Sequence, residues 1–428
     1  MQVLRNQQDS IRPRRVLYLV ALLLLMFQTL YFFPGMSAIY ELWNVICFLY
    51  LVFAYPLLKS REHWRLDGFE WYVIALIAIV PIMSAVCAQS EFGQPILYGL
   101  LTQRSMVAVA AVLFCMHRLR MGFFRLSEVK SALMFLAWGT AIFWIFMRIA
   151  LNPANYVSST RPGGFVSEAE PYWFVLPAQF ILIGVLYYAL RGLRTGKIRN
   201  YLLALLLFTG AVDKASGRVM ILALLVTFLF FAARWLKLKR LLILLPAMAV
   251  GSGLLVGFLY LAAPQIVTDR IGQFQAAFTV AFTGEASDDP SANGRIPQVL
   301  LAAEGIQKRP FFGSGSISAQ WEGGYRDTLG ARFYPEDIGL IGAVYNFGFI
   351  GLILFASQYW FAIRAVRALP PESNSALFDA IKGFLFYAAL GSTMFIYHTA
   401  TTLFLVMLLR FTASQHRGAS SHPVPVAR

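Results

Sequence analysis

Charge is what this 428-residue chain has least of: Asp, Glu, Lys and Arg together make up 13% of it, against 58% hydrophobic residues. A soluble domain carries about 25% charged residues, so an aqueous surface is not what this composition builds. Cysteine is scarcer still. Cys47, Cys87 and Cys115 all fall inside apolar runs, which excludes a disulfide framework and leaves no metal-ligand spacing. Acidic residues number 21 against 36 basic ones. The excess is spread as small clusters at every second connection rather than one contiguous patch, which excludes a nucleic-acid surface. A cleavable signal is also absent, because the first apolar stretch continues into a full span without a small-residue cleavage pattern. The first helix is expected to stay as an anchor.

Long apolar runs are what the chain has in quantity. Twelve of them lie at 16–33, 38–58, 69–88, 96–116, 129–150, 171–190, 199–213, 217–236, 241–262, 338–361, 378–397 and 399–413. Runs of about 20 residues cross ~30 Å of hydrocarbon as helix, the form that satisfies its own backbone hydrogen bonds. The expected fold class is an all-α polytopic membrane protein of about twelve transmembrane helices with one long folded helical loop. Its parts are residues 1–262 with spans one to nine, residues 263–336 as the loop, and residues 337–428 with spans ten to twelve and a tail.

Orientation follows from where Lys and Arg collect, since short cytoplasmic connections retain them. The N-terminus (Arg5, Arg12, Arg14, Arg15) and the exits of the even-numbered spans are basic: Lys59/Arg61/Arg65, Arg118/Arg120/Arg125, Arg191/Arg194/Lys197/Arg199, Lys237/Lys239/Arg240 and Arg364/Arg367. Both termini are therefore expected inside and the long loop outside. The minority on the outer side are Arg104, Arg148, Arg161, Lys214, Arg218, Arg270, Arg295, Lys308, Arg309, Arg326 and Arg332. These need another explanation.

Many of them sit in or near the segment Ala263 to Glu336. Val267, Ile271, Phe274, Phe278 and Phe282 recur there at helical spacing, and a second stripe is Ile296, Val299, Leu300, Ala303 and Ile306, preceded by polar residues suited to capping and stopped by Pro310. A folded loop of this length is more often a functional element than a linker. Lys214 and Arg218 flank the turn between spans seven and eight. They are either interfacial charges paired with Asp213 or an anion site in which guanidinium and a helix N-terminus meet phosphate. Arg295 is either a solvated charge or a third such cation. Glu336 and Asp337 either mark the N-terminus of span ten or supply a base for a hydroxyl nucleophile. His398 is placed in the outer turn between the last two spans, where a hydrogen-bonded interfacial histidine is the commoner role. Glu41, Asn44 and Glu70 stand near span ends and signal little alone.

Three stretches together resemble the bacterial O-antigen polymerase and O-antigen ligase superfamily of lipid-linked glycan transferases. They are Ser216-Gly217-Arg218 opening a span, NGRIPQVLLAAEGIQKRPFFGSG from Asn293 to Gly315, and EDIGLIGAVYNFGFIGLILF from Glu336 to Phe355. The resemblance covers about residues 210 to 355. It implies a glycosyltransferase of the bacterial inner membrane that moves glycan from undecaprenyl diphosphate to an acceptor hydroxyl at the periplasmic face, without nucleotide sugar, cofactor or obligatory metal. Arg218 and Arg295 would hold the diphosphate, with Lys214 as a third cation or as a neutraliser of Asp213. Flippase and chain-length regulator proteins are the partners such enzymes work beside. Ligases of the superfamily place a histidine at the entrance to the span after the loop, and here that position is Asp337.

Two enzymatic readings and one of another class follow. A polysaccharide polymerase would extend O-antigen or exopolysaccharide on its carrier, with Asp337, or neighbouring Glu336, orienting or deprotonating the acceptor hydroxyl. An O-antigen ligase would use the same donor with lipid A-core as acceptor. A secondary transporter also suits twelve spans, but no internal repeat is visible and the unusual charges lie at the outer edge.

Overall fold

The computed structural model describes residues 11–28, 35–62, 66–150, 178–214, 218–236, 294–329, 333–369, 375–390 and 394–420, with isolated positions between 253 and 272. Among these residues all regular structure is helical. The expected span at 241–262 and the stripe from Val267 to Phe282 fall outside the described residues.

The N-terminal half begins with α1 (Pro13–Met26) and α2 (Met36–Leu49), and α2 runs on through a π turn at Tyr50–Ala54 into Tyr55–Glu62. Then come α3 (Gly68–Phe92) and α4 (Ile96–Thr102), and a 3-10 turn (Arg104–Val109) leads into α5 (Ala110–Arg120). The segment from α4 to α5 is bent by 48° at its break. Next are α6 (Leu126–Ala150), α7 (Ala178–Thr195), α8 (Ile198–Lys214) and α9 (Arg218–Trp235). Within the long loop lie α10 (Arg295–Lys308) and a short α11 (Tyr325–Leu329), a 3-10 turn (Pro335–Ile338) closes it, and α12 (Gly339–Ala368), α13 (Ala376–Leu390), α14 (Met394–Tyr397) and α15 (Thr399–Ser420) follow. Among the described residues four helices are long and apolar enough to cross a membrane, or five if the bent α4–α5 segment is one span. Large apolar side chains on their outer faces, including Leu42, Phe48 and Phe53 of α2 and Trp71, Ile82 and Val86 of α3, are exposed. Such a belt is a lipid-facing surface.

One buried cluster joins α1, α2, α3, α5, α6, α7, α12, α13 and α15. The helix at its centre is the last one. Leu403 to Leu409 are each at most 1% exposed, and a helix apolar all round is one surrounded by others. At the end of the bundle where the basic clusters gather, polar groups fasten four elements. Asp67 caps α3 by accepting from the Phe69 and Glu70 amides, and Glu70 accepts back from the Asp67 amide at 2.8 Å. Glu70 is 1% exposed and also receives Lys59 at 2.6 Å and Arg120 at 2.8 Å, while Arg410 of α15 reaches Asp67 at 3.3 Å. A buried carboxylate persists only with such partners.

Candidate functional site

The long loop is stitched into the bundle rather than laid over it. Its anchor is a break in α12 at Gly348, where φ is +62° and ψ −177°. Such a break strips backbone groups of their i−4 partners, which inside a membrane must be replaced. The loop replaces them. The Phe349 amide donates to the Pro310 carbonyl at 2.9 Å and the Ile350 amide to the Phe311 carbonyl at 3.0 Å. In return the Ser314 and Gly315 amides donate to the Tyr345 and Asn346 carbonyls at 2.7 and 3.1 Å. A Cβ on Gly348 would stand 2.2 Å from the Phe311 oxygen, so only glycine permits this approach. The Pro-Phe-Phe-Gly-Ser-Gly turn thus forms a short ladder against the unwound span.

From there the chain threads between α3 and α4. The Ser316 amide donates to Ser84 Oγ at 3.0 Å, the Ser318 amide to Gln94 Oε1 at 2.7 Å, and Gln103 Nε2 to Ser316 Oγ at 2.9 Å. Ser84 and Gln94 are both 0% exposed. Gln94, Gln103 and Ser84 were the sequence signal for this docking, as polar residues in or beside apolar runs, but nothing in their spacing identifies their partner.

Above the ladder α10 packs on α12 and on the Pro335–Ile338 turn. A small separate core, Ala302, Phe333, Ile338 and Tyr345 flanked by Val299 and Ile306, holds these pieces together. This corrects the expected stripe, because Leu300 is 62% exposed and Ala302 takes its place on the buried face. The polar run before α10 does not cap it either: the N-cap is Gly294, and no side-chain cap is formed. The first-turn amides are left to other acceptors.

The expected site residues fall as follows. Arg295 is the first residue of α10 and Arg218 the first residue of α9, while Lys214 is the last of α8. The side chains of Lys214 and Arg218 lie outside the described residues. Arg295 and Asp337 are close enough for their opposite charges to attract. Glu336 and Asp337 both keep solvent-accessible surface on the 3-10 turn before α12. Tyr325 donates to Asn346 Oδ1 at 2.9 Å, and burial pushes its hydroxyl well above the usual phenol range, so it remains a neutral donor.

Two other cations of the set expected on the outer side are already paired. Arg104 Nη2 lies 2.6 Å from Glu41 Oε1, and Arg309 Nε lies 2.6 Å from Glu91 Oε2. Arg295 forms no ion pair within 4.0 Å among the described residues. It therefore has capacity for an anion.

Sequence reasoning placed His398 in the turn between α14 and α15 as an interfacial histidine and missed Tyr397 beside it. Tyr397 there lies within electrostatic reach of Glu336, Asp337 and Tyr325, which brings the end of the chain to the loop. Its neighbour His398 sits deep among protein atoms, yet a cavity leaves the ring reachable by solvent. Burial lowers the imidazole below the usual histidine range, so the ring is neutral at neutral pH.

No curated protein matches this chain. Residues 201–356 match the O-antigen ligase family, a stretch that begins in α8 and ends in α12 just beyond Gly348. It contains Lys214, Arg218, Arg295, Glu336, Asp337 and the Pro310–Gly315 turn with the broken part of α12 that it meets. That match, together with helices of membrane length among the described residues, supports the resemblance of this chain to the O-antigen polymerase and ligase superfamily.

Proposed function

We propose that this chain is a polysaccharide polymerase of the bacterial inner membrane, with twelve spans, cytoplasmic termini and a periplasmic loop at residues 263–336. It moves a growing glycan from undecaprenyl diphosphate to a sugar hydroxyl of another lipid-linked repeat unit. The observation that carries the reading is that Arg295, at an uncapped helix start, lies within electrostatic reach of Asp337 at the head of α12. A cation and a carboxylate in one neighbourhood suit a reaction whose leaving group gains negative charge while its nucleophile loses a proton.

In the proposed step the acceptor hydroxyl oxygen attacks the anomeric carbon of the donor glycan as the bond from that carbon to the diphosphate oxygen breaks. The hydroxyl proton passes to Asp337, with Glu336 beside it, and undecaprenyl diphosphate departs. Arg218 and Arg295, each with a helix N-terminus behind it, and Lys214 hold the diphosphate. Fixed positive groups of this kind act most strongly on the charge that develops in the transition state. Asp337 stands where the resemblance places the ligases' histidine, which favours polymerase over transfer to lipid A-core.

Arg218→Ala and Arg295→Ala are expected to lower elongation of lipid-linked repeats by about 100-fold or more at normal protein level, the scale of losing a fixed oxyanion partner. Unchanged chain elongation in both variants overturns the site. In a strain lacking the protein, single lipid-linked repeats accumulate if it is a polymerase, whereas long polymer on the carrier marks it as a ligase.

A further inference from the structure

Between the end of α1, the middle of α2, the 3-10 turn Arg104–Val109 and the α14–α15 turn lies a cavity of about 370 Å³. We propose that this cavity is the acceptor-sugar subsite. It holds a ring of the acceptor glycan by hydrogen bonds from His398 and the surrounding amides and hydroxyls, and presents the attacking hydroxyl past Tyr397 toward Asp337. The assignment rests on the glycan-transfer reading above.

The chemistry of the walls selects a sugar. One cation lines the cavity, Arg104, and its guanidinium meets both carboxylate oxygens of Glu41, Nε at 2.7 and 2.8 Å and Nη2 at 2.6 Å. A phosphate would find no uncompensated positive charge here. An isoprenoid chain would find amides and hydroxyls instead of an apolar groove. Gln28 donates to Asn44 Oδ1 at 2.8 Å, which fixes both amides and leaves the Gln28 oxygen and the Asn44 nitrogen directed elsewhere. Thr102 and Ser105 add hydroxyls at the wall. Neutral donors and acceptors facing both ways, with tyrosine rings beside them, are the complement of a polyhydroxyl ring. The volume falls within the ~300–1,000 Å³ of small-molecule sites.

Its position fits the proposed reaction as well. Tyr397 lines the cavity and also feels the charges of Glu336 and Asp337. Tyr397, next to His398 in the chain, thus links the cavity with the carboxylates that would take the proton. The groups that face His398 across the cavity are Tyr40 and Glu41 from α2, Arg104 from the 3-10 turn and Tyr397 beside it.

The test uses the full-length protein in detergent and two probes: the free repeat oligosaccharide, released from the host's lipid-linked intermediates by mild acid, and undecaprenyl diphosphate. Ser105 exposes its side chain to the cavity, so Ser105→Trp fills the space with little risk to the core, and Ser105→Thr is its conservative control. Saturation-transfer NMR is expected to show oligosaccharide bound to wild type and to Ser105→Thr, and not to Ser105→Trp. In reconstituted transfer assays Ser105→Trp and His398→Ala are expected to raise the acceptor KM about tenfold or more, while undecaprenyl diphosphate still stabilises both proteins as it does wild type. Oligosaccharide binding and acceptor KM unchanged in both variants overturn the subsite, as does displacement of the oligosaccharide by undecaprenyl diphosphate alone. A wild type that binds oligosaccharide in a manner lost in Ser105→Trp, yet transfers no glycan from lipid-linked donor, supports the sugar subsite and overturns the transfer reading instead.

Discussion

Gly348→Ala is the substitution that probes the architecture most directly. Two costs are superimposed at this position. The first is conformational, because a residue with a Cβ at φ +62° and ψ −177° occupies a region essentially reserved for glycine, at roughly 1–3 kcal/mol. The second is steric. The new Cβ would meet Phe311 O at 2.2 Å, Phe311 C at 2.3 Å and Phe312 N at 2.5 Å, all backbone atoms that no rotamer change can move aside. Relief requires the two chains to separate by about 1 Å, which breaks the bonds from the Phe349 and Ile350 amides, at roughly 1–3 kcal/mol for each donor left unsatisfied. The sum is about 3–9 kcal/mol, a large share of the roughly 5–15 kcal/mol of a typical fold. Gly339→Ala is the control: its φ is also +62°, but nothing lies within 4 Å of the added Cβ, so the conformational cost stands alone. Thermal unfolding of detergent-solubilised full-length protein, followed by size-exclusion chromatography of a fluorescent fusion, measures the difference. Gly348→Ala is expected to melt well below Gly339→Ala. A midpoint equal to or above that of the control refutes the close approach of loop and span.

Other outcomes follow from the charged groups. Glu70→Ala leaves Lys59 and Arg120 facing a buried void and is expected to destabilise by about 3–5 kcal/mol, whereas Glu41→Ala, whose pair with Arg104 has side chains 41% and 36% exposed, is expected to stay within about 1 kcal/mol; the order of the two melting midpoints checks both. At Asp67 burial alone would raise the carboxyl, but the Glu70 amide, Arg410, Arg120 and the Phe69 amide together bring it below its ordinary 3.8. A depressed folded value means stability is fully present above the unfolded pKa and is lost as pH falls through the folded one. Melting of wild type is therefore expected to fall below about pH 4 more steeply than that of Asp67→Asn, and parallel curves would remove Asp67 from the account.

The helices were legible because apolar runs of membrane length leave few alternatives, and the helix at Arg295 was legible from its own periodicity. Its exact face was not. Ile296 to Ile306 contains more apolar residues than one stripe needs, and the choice of Ala302 over Leu300 was made by Phe333 and Tyr345, which lie beyond the helix. The central place of α15 was hidden for a related reason, since a short run apolar on every side has no preferred face to read. The ladder between Pro310–Gly315 and Tyr345–Ile350 has no period at all, because it joins a turn to the broken part of a helix. Of the site, Arg295 and Asp337 were readable as an unusual cation and an unusual carboxylate, but their proximity was not. Tyr397 was overlooked, and His398 was read only as an interfacial histidine, because the fold, and not the order of residues, carries this turn to the loop.

The stitching of the loop also sets an order of events during synthesis. Ser84 and Gln94 enter the membrane with their polar atoms unprovided for, and their partners at Ser316 and Ser318 follow more than 220 residues later. The polar atoms of α3 and of the connection to α4 must be provided for by water or lipid headgroups until the Ser316–Ser318 segment has been made. α12 cannot settle before then either, because its broken turn at Gly348 has no other source of hydrogen bonds. A chain truncated before Pro310 would therefore leave the translocation machinery with two defects at separate depths, which makes this segment a natural checkpoint for membrane quality control.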